Sequence, residues 1–138
     1  MNTNKRGFTL VEILWVIMFL GLLAAIVVPR FADATDDARM SNLTKNLQQV
    51  RAQLQLYRLQ HNNTYPTDIT AQLTSKTDED GTINPSGLFG PYMKFFPDNR
   101  FIEDPAKSDA TGGAAGDGWS YNATTGIFLA NSDGHGDL

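Results

Sequence analysis

Apolar and polar positions follow three different patterns along the chain. Residues 13–28 are uncharged and mostly large and apolar. Extended to Phe8 and Pro29 the stretch is 22 residues, which as a helix would run about 33 Å. That matches a bilayer core of about 30 Å. Lys5 and Arg6 stand just before it, so the positive-inside rule puts the N-terminus in the cytoplasm and the bulk of the chain outside. Past Pro29 the pattern changes. Apolar residues recur at Phe31, Ala34 and Ala38, then at Leu43, Leu47, Val50, Leu54 and Tyr57. The last five step by four, three, four and three, which is one face of an amphipathic helix. Leu56 and Leu59 are expected to widen that stripe enough to lie against a sheet. His61-Asn62-Asn63 and Tyr65-Pro66 end the helix. His61 is placed at the helix end, where a cation would suit the dipole. Within the long pattern Gly21 and Pro29 are the weak points, and Pro29 favours a kink.

The third pattern is turn-rich. Residues 74–87 read as an exposed loop, and residues 111–118, with four glycines and no large apolar side chain, as a flexible one. Residues 90–97 form a short apolar island between prolines, a strand or extended segment expected to pack on the helix. Trp119-Ser120-Tyr121-Asn122, a turn through Gly126, and Ile127-Phe128-Leu129-Ala130-Asn131 spell a hairpin. The fold class is therefore α+β: a long N-terminal helix, half membrane-spanning and half amphipathic, packed on a small C-terminal antiparallel sheet. The expected divisions are 8–29, 30–62 and 63–138.

Composition narrows the function. A chain of 138 residues has room for one domain. Its net charge of −4 argues against nucleic acid as the main partner. There are no cysteines, hence no disulfide framework and no thiolate metal site. Two separated histidines, without clustered acids in apolar surroundings, make no catalytic constellation, so the chain reads as a non-enzyme. His135 is expected to face solvent. Ala32-Asp33-Ala34 also fits a small-x-small cleavage site of an ordinary secretory signal, which would leave a monomeric exported or anchored domain. The apolar run is long for such a signal, and the helical pattern continues straight through the site.

One acid, Glu12, sits in the apolar stretch. A carboxylate at the centre of a membrane helix costs about 2.5–3.5 kcal/mol on insertion scales. No Lys or Arg lies between Gly7 and Arg30 to pair with it. A free amine at Phe8, four residues away, would pair with it if the chain were cut after Gly7; such an amine is largely protonated at neutral pH. A bland alternative is that Glu12 snorkels to the headgroups.

Lys5-Arg6-Gly7-Phe8-Thr9-Leu10-Val11-Glu12, followed by the apolar run, resembles the class III signal of type IV pilins and type II secretion pseudopilins. The resemblance implies that residues 1–7 are a leader. It implies that a prepilin peptidase cuts between Gly7 and Phe8 on the cytoplasmic side and N-methylates Phe8. It also implies a homo-oligomeric filament, raised from the bacterial inner membrane by an assembly platform, with the C-terminal domain in the periplasm. In that filament Glu12 neutralises the terminal amine of a neighbour, and the helix between Gly21 and Pro29 is where melting on assembly is expected. The order of helix, Gly90-Pro91-Tyr92 and C-terminal hairpin favours the major pseudopilin over a pilin for motility, adhesion or DNA uptake. Where major pseudopilins usually carry Pro-Trp-Gly after the Pro97-Asp98 stretch, this chain reads Asn99-Arg100-Phe101. No cofactor is required. Major pseudopilins bind calcium in a C-terminal loop, and Asp133 and Asp137, with Asn131 and Ser132, are the candidate oxygen ligands here, in a shorter tail.

Overall fold

The computed structural model describes residues 7–132 and 134–136. Its elements are a helix α1 at Leu10–Gln60, a short helix α2 at Ile69–Thr74, and strands β1 at Trp119–Asn122 and β2 at Ile127–Ala130. The fold is α+β, as the patterns predict. The chain divides into two compact units, Met1–Ala38 and Arg39–Leu138.

In the first unit α1 is helical without interruption through Gly21 and Pro29. A Cβ on Gly21 would meet no atom within 4 Å, so packing inside the chain does not require glycine there. The apolar side chains from Leu10 to Val28 are exposed, and Trp15 stacks on Phe19 one turn away at 6.1 Å. This is the one stretch among the described residues long and apolar enough to cross a membrane.

In the second unit Leu43, Leu47, Val50, Leu54 and Tyr57 are all buried. They meet Ile69 and Leu73 of α2, Met93, Phe96, Trp119, Phe128 and Ala130 in one core. Leu56 and Leu59 do not widen the stripe; they are 42% and 81% exposed. At about 100° per residue both fall on the far side of the helix, roughly 140–160° from the centre of the buried face. The residue that does extend the stripe is His61, one further step of four beyond Tyr57. It is wholly buried, not a surface cation. Its Nδ1 lies 2.8 Å from the Tyr57 carbonyl and its Nε2 2.9 Å from Thr77 Oγ1. A carbonyl only accepts, so Nδ1 carries the proton of that bond. The ring stacks on Tyr57 at 3.7 Å. Asn62 and Asn63 then take positive φ, the left-handed conformation asparagine tolerates at a helix end.

The connections are more tightly held than their composition suggests. α2 was not legible as a helix; Asp68 caps it by accepting from Ala71 N at 2.9 Å, while Gln72 Oε1 accepts from Asp68 N at 3.0 Å. Segment 74–87 is pinned by Thr77, fully buried and bridged to Ile83 and Phe89. Residues 90–97 form no strand, but Met93 and Phe96 enter the core while Phe95 stays 73% exposed. The hairpin has the register Trp119↔Ala130 and Tyr121↔Phe128, putting these four side chains on one face. Trp119 stacks on Phe128 at 5.1 Å and donates from Nε1 to Pro97 O at 2.9 Å. Gly126 has φ of 72° and the Tyr65 ring occupies the place of a Cβ, so only glycine fits this turn. Segment 111–118 is no free loop: Trp119 N donates to Ala110 O, Tyr121 N to Thr111 O, and Gly112 bridges Ser120. Asn99, where the sequence departs from the pseudopilin pattern, is buried; its Nδ2 donates to Gly118 O at 2.7 Å and its Oδ1 accepts from Phe101 N. His135 is half-buried against Phe101, with ring centroids 4.2 Å apart, because Ser132 Oγ holds Nδ1 at 3.2 Å.

Two outcomes are expected. Truncating a buried aromatic typically costs about 3–5 kcal/mol, so Trp119→Ala should sharply lower the melting temperature of a soluble fragment beginning near residue 31. An unchanged melting curve would contradict the packing of hairpin on helix. The second concerns alkaline pH. Burial pushes the Tyr57 hydroxyl up to about 12 and also raises Tyr92 and Tyr121. Hydrogen bonding to Gln55 and Arg58 holds Tyr65 the other way. Unfolded tyrosines ionise near 10, so between about pH 10 and 12 the unfolded chain binds fewer protons at the three raised sites and stability falls. Thermal melts across that window should show the fall, and Tyr121→Phe should flatten its slope.

Candidate assembly site at the start of the helix

Gly7, Phe8 and Thr9 precede α1 and are exposed, Phe8 at 79%. The chain turns helical at Leu10 for an identifiable reason. Thr9 Oγ1 accepts from Glu12 N at 3.3 Å, and Thr9 O accepts the first intrahelical bond from Ile13 N at 3.2 Å. Thr9 is therefore the N-cap and Glu12 the third residue of the helix. Thr9-Leu10-Val11-Glu12 has the spacing of a capping box, in which a Ser or Thr cap is followed three residues later by Glu or Gln. The Thr-x-x-Glu spacing itself is a sequence signal for this cap. It gives Glu12 a local reason to exist: an acid in the first turn faces the positive end of the helix dipole and the unpaired N–H groups there.

Gly7 has no such local reason. A Cβ at this position would meet no atom within 4 Å. Nothing inside the described chain demands glycine there. Lys5 and Arg6 lie outside the described residues. Pro29 is part of the continuous helix.

The calcium candidates Asp133 and Asp137 also lie outside the described residues. Their two suggested partners are engaged within the fold: Asn131 Nδ2 donates to Ala114 O at 2.7 Å, and Ser132 Oγ contacts Asn99 Nδ2 and His135 Nδ1. Among the described residues no group of three or more His, Cys, Asp or Glu side chains could hold a metal. One open depression of about 480 Å³ lies between the end of α1 and the hairpin turn, lined by Arg58, Asn63, Tyr65 and Thr124 among others. Its Arg58 is committed to Asn63 Oδ1 at 2.6 Å and to the Tyr65 hydroxyl at 3.2 Å. No acid or histidine is among its lining residues.

No family model matches the chain, and no solved structure matches it. Curated relatives do. The type II secretion system core protein G of Klebsiella michiganensis is 38% identical over 106 residues, covering 77% of this chain and 71% of that protein. The core protein G of Dickeya chrysanthemi is 39% identical over 67 residues, covering 49% of this chain and 43% of that protein. The fimbrial protein of Neisseria meningitidis is 33% identical over 81 residues, covering 59% and 48%. The chain thus spans less than half the length of the last two relatives.

Proposed function

The chain belongs to the family of type IV pilins and type II secretion pseudopilins, and from that membership we propose that it is a structural, non-enzymatic subunit of a pilus-like filament, the major pseudopilin of a type II secretion system. The observation that carries this reading is the exposed apolar face of Leu10–Val28. So much contiguous apolar surface has to be covered. In the bacterial inner membrane lipid covers it, with the N-terminus cytoplasmic and the second unit periplasmic. In the filament, helices of other copies cover it after an assembly platform extracts the subunit.

The same reading assigns Gly7 and Phe8 to processing. A glycine that the chain itself does not need fits a requirement set by an enzyme docking on it, a prepilin peptidase. Cleavage leaves a free amine on Phe8, and a separate methyl transfer to that nitrogen gives N-methyl-Phe8. Glu12 then meets the Phe8 amine of a neighbouring copy. An ion pair at 4 Å gains about 1 kcal/mol in water and roughly 4 at an effective dielectric of 20, of which desolvation takes back part. The meningococcal relative supports a second reading, a surface pilin. Deleting the gene and assaying secretion against surface fibres separates the two.

Mass spectrometry should find a mature terminus at methylated Phe8. A terminus at Thr35 would instead establish an ordinary signal cut after Ala34. Glu12→Ala and Glu12→Gln should both be inserted and processed yet give few filaments. The glutamine variant is decisive, because Gln serves a capping box as Glu does while losing the charge. Normal fibre yield from Glu12→Gln, at equal amounts of processed subunit, would reduce Glu12 to a cap.

A further inference from the structure

We infer that Thr9 is a positioning residue for the cleavage of the Gly7–Phe8 bond: its cap fixes the start of α1 so that this bond stays outside the helix. The inference rests on the processing reading of Gly7 and Phe8. Glu12 N is held by Thr9 Oγ1 at 3.3 Å. Were the helix one residue longer, that N–H would go to the Phe8 carbonyl. One residue further, Val11 N would take the carbonyl of Gly7, which belongs to the bond to be cut. A helical bond is a poor substrate. Its carbonyl is engaged, its carbon is screened by the turn above, and its backbone groups are not free to pair in an extended cleft.

The apolar residues that follow favour growth of the helix in either direction, and two devices oppose growth toward the leader. Gly7 is intrinsically unfavourable in a helix, and Thr9 offers Glu12 N a competing acceptor. Only the second is a side-chain interaction that can be removed without altering the residues on either side of the scissile bond. Gly7, Phe8 and Thr9 are non-helical and exposed, which is the conformation a peptidase has to grip.

The inference separates capping from shape. Val matches Thr in shape but cannot cap; Asn differs in shape but caps well, and Ser does both roles of Thr with one methyl fewer. The full precursor in membranes, incubated with prepilin peptidase, should be cleaved at near wild-type rate as Thr9→Ser or Thr9→Asn. Thr9→Val should be cleaved measurably more slowly at low substrate, by up to about five-fold, the limit that a typical cap of about 1 kcal/mol sets. The loss should appear in KM with kcat unchanged, because only the fraction of chains with an extended Gly7–Phe8 bond can bind. Cleavage of Thr9→Val at the wild-type rate would overturn the inference, as would Thr9→Asn cleaving as slowly as Thr9→Val, which would mark direct contact with the threonine side chain. A wild-type chain left uncut at Gly7–Phe8 would overturn the processing reading and this inference together.

Discussion

The second unit depends on one contact, the meeting of a single helix face with a two-stranded hairpin. A lone hairpin is marginal in water, and a helix with one apolar face has to bury it. Each supplies what the other lacks. Trp119 and Phe128 stack on one another and join Leu43, Leu47, Val50, Leu54 and Tyr57 in the same core. Polar ties fix the register of the meeting: Arg51 donates from Nε and Nη2 to the Phe128 carbonyl, and Tyr121 donates its hydroxyl to Pro66 O. The irregular segments between them attach to this frame instead of building a layer of their own.

What could be read from the sequence was whatever has a period. The stripe of four and three, the alternation at residues 119–122 and 127–130, and the asparagines after Gln60 all carry local signals, and the elements lie where those signals put them. Leu56 and Leu59 are hydrophobic but stand at the wrong angle; the same spacing that places Leu43 to Tyr57 excludes them and admits His61. The ties of Thr77, Asn99 and segment 111–118 had no periodic signal. They are long-range hydrogen bonds of polar residues, and composition reports such residues only as loop formers. At the candidate site the order of residues was legible, but the division of labour within it was not. The Thr9–Glu12 hydrogen bond marks Thr9 as the residue that starts the helix, and it uses the Glu12 backbone N–H, not the carboxylate.

That separation bears on how one acid would serve the two settings proposed for it. Before assembly Glu12 has the helix N-terminus as its favourable surroundings, so its charge is not wholly unsupported near the membrane boundary. The proposed amine of a neighbour adds to this support without replacing it. Thr9 caps the helix with Phe8 outside it, so the proposed terminus lies beyond the backbone ladder.

The hairpin's flanks bear on what kind of polymer such a chain can form. Open strand edges recruit other strands and lead to exchange between molecules. Here segment 110–113 runs along β1, with Trp119 N and Tyr121 N donating to Ala110 O and Thr111 O, and on β2 the Phe128 carbonyl is taken by Arg51. Chains crowded together by an apolar anchor would otherwise stick through their sheets in any register. With those backbone groups already engaged, disordered aggregation would compete less with the filament growth proposed for the helix.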